Sequence, residues 1–195
     1  MKIVLASKNA GNIKEFKEIL EPFGFEVLSL KDIDFTDEII ENGDTFEANA
    51  LIKAKTIYDL IKLPVISDDS GICVKHLNYA PGVYSARYGG LEDEADRIKL
   101  ILKQMEGVEN RDAYFHCSII LYLDDNKYLH FKGTVDGTLD YVEKGNNGFG
   151  YDVIFIPNGY NNTFGELSSD IKNEISHRAK AIKSLVRYLE NDFNN

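Results

Sequence analysis

The sequence predicts an α/β protein in which helices flank a mixed β-sheet. In the first half, short apolar segments with strand patterns alternate with segments of helical periodicity, an order typical of helix-linked parallel strands. In the second half, residues 113–123 and 128–135 flank the polar turn DDNK, which predicts a β-hairpin. Parallel and antiparallel pairs are therefore expected in one sheet. A length of 195 residues suffices for one domain with a sizeable core.

Apolar spacing and turn residues predict the individual elements. Apolar positions three and four residues apart indicate helices, and Gly, Pro and Asn indicate their ends. Asp44, with Glu47 three residues later, has the pattern of a capping box. In chain order we predict a strand at 2–7, a helix through Ile13, Phe16, Ile19, Leu20 and Phe23, a strand at 26–30, a helix from Asp44 to Pro64, a strand from Val65 into a DDSG loop at 68–71, a helix at 94–106, the hairpin, a loop at 146–150, a strand at 151–156, and one last helix from about Ser169 to about Glu190.

The composition argues against several classes of function. The net charge is −10, whereas a polynucleotide-binding surface usually has a basic excess, so no nucleic-acid partner is expected. A small phosphate ester remains possible because it needs only a local basic pocket. Cys73 and Cys117 are too few for a disulfide framework, which favours a cytoplasmic protein. The apolar runs at 3–6 and 119–123 are too short for a signal peptide or a transmembrane helix, so no membrane partner is expected.

The loop after the first strand is one candidate site. Loops at strand ends often bind ligands in α/β folds, and N–H groups at a helix start can face an anion. The segment SKNAGN, residues 7–12, offers neutral donors at Ser7 and Asn9 and a charge at Lys8. It lacks the Walker spacing, so the residues alone fit either a phosphate-binding loop or an ordinary polar surface loop.

The acidic residues after the third strand are a second candidate. Asp68, Asp69 and Ser70 supply oxygen atoms, which suit a hard cation such as Mg²⁺. Glu41 lies outside any apolar face and is a candidate for a further oxygen ligand. The alternatives are an Asx-type turn at 68–71 and an ordinary exposed glutamate at 41.

Two later segments have residues suited to a flat ligand. Glycines around Phe149 leave its ring room to stack on a base, although a tight turn with Phe149 in the core fits the same pattern. The last predicted helix carries Ser176, His177 and Arg178, and Lys172 lies five residues before the histidine. These charges also fit a solvated helix face.

Six sequence blocks stand out along the chain: ASKNAGN, ENGDTFEANALIKA, SDDSGICV, APGVYSARY, GFGYDVIF and ISHRAKA. Any one block could arise by chance, but their common order from residue 1 to about residue 188 is specific. In this order they resemble the Ham1 family, the inosine triphosphate pyrophosphatases.

The resemblance implies a fold and a reaction. The fold is an elongated α/β domain over residues 1–195, with a long mixed sheet, two lobes and the active site in the cleft between them, usually as a homodimer. The reaction is hydrolysis between the α- and β-phosphates of ITP, dITP and XTP, which gives a nucleoside monophosphate and pyrophosphate. It keeps deaminated or oxidised purines out of DNA and RNA, and Mg²⁺ is the implied metal.

The resemblance also implies roles for individual residues. Glu41 and Asp69 match the metal ligands, and Asp69 also matches the general base. Ser70 and Lys53 match substrate contacts near the phosphates. The other matches are the phosphate-binding loop, Ser7, Lys8, Asn9, Ala10, Gly11 and Asn12; the base-side segment, Phe149, Gly150, Tyr151 and Asp152; and the residues that read the purine, Lys172, His177 and Arg178. Of these, His177 and Arg178 are expected to donate to the purine O6.

The first loop departs from the family pattern. The family usually has Gly-Lys where this chain has Gly11-Asn12, so one phosphate-directed charge is missing. Lys14 points elsewhere on a helix. Lys8, where many relatives have glycine, is the candidate to compensate for the missing charge.

Two other functions fit parts of the sequence. A pyrophosphatase of the related Maf type would act on modified pyrimidines, but the SHR and FGYD blocks argue against it. A nucleotide-sensing module would bind without turnover, and it would have no need of Glu41, Asp68 and Asp69 together. Magnesium-dependent release of pyrophosphate from ITP distinguishes the three.

Overall fold

The computed structural model describes residues 2–125 and 127–192 and contains one six-stranded sheet. Short 3-10 turns lie at 21–23, 31–33, 75–77, 82–90 and 150–154. Among the described helices, none is long and apolar enough to cross a membrane. The strands are β1 (Lys2–Leu5), β2 (Glu26–Ser29), β3 (Val65–Val74), β4 (Asp112–Asp124), β5 (Lys127–Leu139) and β6 (Phe155–Pro157), and the helices are α1 (Ala10–Leu20), α2 (Phe46–Ile61), α3 (Glu94–Gln104), α4 (Ser169–Ile175) and α5 (His177–Asp192).

The sheet is mixed, as the sequence predicts. Its strand order is β2-β1-β3-β4-β5-β6. β1 pairs in parallel with β2, in the register Lys2↔Glu26, and with β3, in the register Leu5↔Ile66. β5 and β6 pair antiparallel. Only residues 125 and 126 separate the neighbours β4 and β5, and so short a connection requires the antiparallel hairpin that the sequence predicts.

The chain divides into two compact units. Unit 1 comprises Met1–Asp69, Cys117–Gly133 and Arg178–Asn195, and unit 2 comprises Ser70–His116 and Thr134–His177. In unit 1, side chains that alternate along the strands enter two apolar clusters, one with α1 and α5 and the other with α2. The core of unit 2 contains residues of α3 together with three phenylalanine rings: Phe115, Phe155 and Phe164.

Two of the predicted boundaries near the candidate site are wrong. The DDSG segment is not a loop, because β3 continues through it and the carboxylate of Asp68 finds hydrogen-bond partners within unit 1. The second helix is capped by Thr45 and not by Asp44: the Thr45 hydroxyl accepts from the Ala48 N–H at 3.1 Å. Glu47 instead lies 3.3 Å from a ring nitrogen of His130, so no capping box forms.

Two later predictions also fail for local reasons. The last helix is broken at Ser176, whose ψ of 160° is extended, so that α4 and α5 replace one long helix. The strand predicted at 151–156 is mostly a 3-10 turn, and only its end forms β6. The turn is stabilised at its start because the Asp152 carboxylate accepts from the Phe149 N–H at 2.9 Å.

Candidate active site

The loop from Ser7 to Asn12 leads from β1 into α1. Asn9 caps the helix, since its side-chain oxygen accepts from the Asn12 N–H at 3.0 Å, and the Ser7 hydroxyl accepts from the Asn9 N–H at 3.3 Å. Ala10 and Gly11 form the first turn of α1. The loop thus has the strand–turn–helix form that the phosphate-binding prediction requires.

The two unusual residues of this loop contact protein groups. Lys8 Nζ donates to the backbone carbonyls of Thr36 at 2.9 Å and Asp37 at 2.6 Å. Asn12, which stands where the family usually has lysine, donates its amide to both Asp68 carboxylate oxygens at 3.2 and 3.3 Å. The Asn12 side chain is therefore directed to a carboxylate of unit 1.

Glu41, Lys53 and Asp69 form a mostly buried charged cluster in unit 1. Lys53 Nζ lies 2.8 Å from Glu41 Oε2 and 3.8 Å from Asp69 Oδ1. Burial opposes the charge of Lys53, but the carboxylates of Asp69 and Glu41 outweigh it and raise the pKa of the ammonium. The lysine therefore stays charged and lies between two carboxyl groups.

Asp69 has the properties of a group that takes up a proton near neutral pH. Burial raises the pKa of its carboxyl from 3.8 to about 7; Lys53 opposes the rise, and the charges of Glu41 and Asp68 add to it. A carboxylate with such a pKa is basic enough to accept a proton and is still ionised in part at pH 7.

Asn49 connects Asp69 to the backbone of Gly43, two residues after Glu41, and was missed by the sequence analysis. It is fully buried on α2. Its side-chain oxygen accepts from the Gly43 N–H at 2.8 Å, and its amide nitrogen donates to Asp69 Oδ2 at 3.1 Å. A polar residue directly before the core position Ala50, on an otherwise apolar helix face, was the available signal.

Arg178 forms a buried ion cluster with Asp68 and Glu15. Its Nε lies 3.1 Å from Asp68 Oδ2, and its terminal nitrogen lies 2.5 Å from Glu15 Oε2. Burial opposes the charge of the guanidinium, but both carboxylates raise its pKa. Glu15 was also missed, because a single acid on an amphipathic helix has the pattern of a solvated residue.

The carboxylates of Glu41 and Asp69 suit a magnesium ion that also binds a phosphate. Within residues 2–125 and 127–192, no group of three or more His, Cys, Asp and Glu side chains is placed to hold a metal ion. Mg²⁺ is commonly held by one or two carboxylates together with substrate phosphates and water. Glu41 and Asp69 supply such a pair, and the Lys53 ammonium between them marks a position favourable to a cation.

In unit 2, three of the predicted base-side residues lie together. Lys172 Nζ is 2.6 Å from Asp152 Oδ2 and 4.5 Å from the centroid of the Phe149 ring. Asp152 and Lys172 are buried, whereas Phe149 is half-buried. The ion pair and the ring form a compact group. Because the Phe149 side chain is only half-buried, the alternative that it lies in the core does not hold.

The other predicted residues of unit 2 have different surroundings. The His177 ring stacks on Phe115, with centroids 4.7 Å apart and planes within 10°. Tyr151 is buried and donates to the Ser85 carbonyl at 2.8 Å, and burial raises its pKa to about 12. Ser70 is half-buried within β3, and Gly150 begins the 3-10 turn with φ of +61°.

The helix-capped loop and the carboxyl–lysine cluster of unit 1 suit a phosphorylated ligand, and the lysine beside an aromatic ring in unit 2 suits a flat one, features that are typical of α/β enzymes acting on small molecules. The chain belongs to the Ham1 family, whose sequence profile matches residues 3–188. This confirms the resemblance given by the six blocks.

Relatives and solved structures agree with this assignment. The chain is 46% identical to the dITP/XTP pyrophosphatase of Bacillus licheniformis over 191 residues, 96% of this chain and 97% of that protein. It is 41% identical to the dITP/XTP pyrophosphatase of Treponema denticola, over 97% of this chain and 99% of that protein. The Ham1 protein structure from Staphylococcus aureus has a TM-score of 0.88 at 37% identity, covering 98% of this chain and 100% of that one. The HAM1 protein from Coxiella burnetii has a TM-score of 0.89 at 37% identity, covering 97% and 98%. The predicted α/β fold is thereby confirmed.

Proposed function

We propose that this chain hydrolyses the purine nucleoside triphosphates dITP, XTP and ITP to the monophosphate and pyrophosphate. Membership of the Ham1 family and the names of its relatives support this function and argue against the Maf-type alternative. The observation that carries it is the mostly buried cluster of Glu41, Lys53 and Asp69, in which Lys53 Nζ lies 2.8 Å from Glu41 Oε2 and 3.8 Å from Asp69 Oδ1.

In the proposed reaction, Asp69 takes a proton from the water that attacks the α-phosphorus. A bond forms between the water oxygen and the α-phosphorus, the bond from the α-phosphorus to the bridging oxygen breaks, and pyrophosphate leaves with that oxygen. Asn49 orients the Asp69 carboxyl through its hydrogen bond of 3.1 Å. Lys53 stays charged and lowers the energy of negative charge that develops on the phosphate oxygens.

Glu41 and Asp69 are the residues proposed to hold Mg²⁺. The ion supplies charge neutralisation at the phosphates when it is bound. The amide groups at the start of α1 and the Ser7 hydroxyl are proposed to contact the phosphate chain, and Ser70 directly follows Asp69 on β3.

For the base, we propose stacking on Phe149 and donation to O6 from Lys172 and His177. Lys172 lies over the ring that would contact the base. Donors aimed at O6 reject adenine, whose 6-amino group is itself a donor. Arg178 is directed to Asp68 and Glu15, so we propose that it holds those carboxylates in place. That Arg178 donates to the purine O6 stays a prediction, and the contacts of Arg178 do not support it.

Early products of ITP hydrolysis test the proposal. The expected result, by phosphorus NMR, is IMP and pyrophosphate without IDP, with Mg²⁺ required. IDP and orthophosphate as first products would mean attack at the γ-phosphate and would refute it. Binding of ITP without turnover would favour the nucleotide-sensing alternative.

Several expectations drawn from the sequence stay predictions. These are the site in a cleft between two lobes, the homodimer, the lack of a nucleic-acid partner and the cytoplasmic location. For the last of these, the free and buried state of Cys73 and Cys117 agrees with a reducing compartment.

A further inference from the structure

Lys8 contacts the segment that carries Glu41. Between the 3-10 turn at 31–33 and α2, residues 34–45 contain no helix or strand. Lys8 Nζ donates to two successive carbonyls of this segment, Thr36 at 2.9 Å and Asp37 at 2.6 Å, and lies 5.9 Å from the centroid of the Phe35 ring. An ammonium bound to two backbone carbonyls joins the β1–α1 loop to this segment.

The other end of the segment is held by α2. The Gly43 N–H donates to Asn49, and Glu41 pairs with Lys53. A Cβ atom on Gly43 would lie 2.8 Å from the Asn49 side-chain oxygen, so glycine permits this close approach. Glu41 therefore lies between an anchor at residues 36–37, made by Lys8, and an anchor at residue 43.

We propose that Lys8 is a positioning residue that holds the Glu41 segment for metal binding, and that it is not a phosphate ligand. The proposal rests on Glu41 being a metal ligand, as in the proposed function. Phosphate binding would require the ammonium to give up both of its carbonyl acceptors. The positive charge that the family has at position 12 is therefore not replaced by Lys8.

The proposal and simple electrostatics predict opposite effects of Lys8→Met on the affinity of the protein for a metal cation. Removing a positive charge from the protein should, by Coulomb's law alone, strengthen cation binding. Loss of an anchor should weaken it, because Glu41 must then be ordered by the metal itself. We expect Mn²⁺, used as a spectroscopic probe for Mg²⁺, to bind Lys8→Met about threefold to tenfold more weakly, the scale of one or two lost hydrogen bonds.

A nitroxide spin label on Ile40→Cys reports the segment directly. Ile40 is 77% exposed, whereas the natural cysteines are buried, so labelling is selective. We expect Lys8→Met to increase label mobility in the protein without metal or substrate. The matched control is Lys14→Met, which removes an exposed lysine of α1 that pairs with Glu18 at 3.7 Å. It should leave both label mobility and Mn²⁺ affinity unchanged.

The outcomes separate this proposal from the proposed function. Unchanged label mobility in Lys8→Met, or Mn²⁺ binding that is equal or tighter, overturns the positioning role. A rise in KM for ITP together with unchanged mobility would identify Lys8 as a phosphate ligand and also overturn it. Failure of the wild-type chain to release pyrophosphate from ITP would refute the proposed function, while the mobility and Mn²⁺ comparisons would still decide the role of Lys8.

Discussion

Replacing Asp69 with asparagine should abolish turnover and at the same time stabilise the metal-free protein. Turnover should fall by at least about 100-fold, the usual scale for loss of a general base. Stability should rise because the wild-type carboxyl is buried beside Glu41 and Asp68, and its ionised form is disfavoured in the folded state. Asparagine keeps the shape and can still accept the hydrogen bond from Asn49.

The magnitude follows from the pKa of Asp69. The interval from 3.8 to about 7 is roughly 3 pH units, and at about 1.4 kcal/mol per unit the upper limit is roughly 4 kcal/mol. Relaxation of the site reduces this, so we expect about 1–3 kcal/mol. The folded pKa is the higher one, so the contribution of Asp69 to the free energy of unfolding is greatest at low pH, falls as pH rises from about 4 to about 7 and then levels off.

Urea unfolding with EDTA, measured at steps from about pH 4.5 to about pH 8.5, tests this linkage. The difference in the free energy of unfolding between Asp69→Asn and the wild type should be smallest at the acid end and should grow to its full value above pH 7. Asp59→Asn is the control of opposite sign, because a hydrogen bond from Lys55 lowers the pKa of the exposed Asp59 carboxyl. A difference for Asp69→Asn that does not change with pH would refute the reasoning, and so would retention of more than about a tenth of the activity.

Three further substitutions test the rest of the site. Arg178→Ala should destabilise the protein by about 3–5 kcal/mol, because two buried carboxylates lose their shared cation. Urea unfolding measures this loss of stability. A loss below about 1 kcal/mol, the scale of an exposed ion pair, would contradict the prediction. Asn49→Leu should lower kcat for ITP by about 10-fold or more with a smaller change in KM, since the general base loses its orienting hydrogen bond; an unaltered kcat would show that Asp69 is held by other groups. Gly148→Ala should lower kcat/KM for ITP, because its φ is +72° and the new Cβ would lie 2.2 Å from Asp152 Oδ2. Gly24→Ala, at φ +84° with nothing within 4 Å, controls for backbone strain alone, and equal losses of activity in both variants would reject the contact argument.

Strand and helix periodicity predicted most of the fold because it reports which faces are buried. β1 was predicted from a short apolar run, and in the structure Ile3 and Val4 enter two different apolar clusters, so that both faces of the strand are buried. The helix at 94–106 was predicted from its apolar spacing and is confirmed as α3. The hairpin was predicted because its polar turn is local in sequence.

The predictions that were wrong concern segments whose local structure is determined by residues far away in the sequence. Asp68 and Gly71 favour a turn by composition, yet they lie inside β3 because Arg178, 110 residues away, neutralises the Asp68 carboxylate. No spacing rule relates Glu15 to Arg178 either. Glu41 and Asp69 were candidates from their residue type and Lys53 was added by the family resemblance, and the structure brings these three side chains together.

The ion cluster of Arg178 has a consequence for how the chain is made. Its three members lie far apart in sequence: Arg178 follows Glu15 by 163 residues and Asp68 by 110. At a synthesis rate of about 5–20 residues per second, Arg178 is added to the chain roughly 5–20 s after Asp68. The apolar face on which α5 later packs is also incomplete during that time. Unit 1 therefore cannot reach its final packing until α5 has been translated, and before then the growing chain is open to chaperone binding and to aggregation.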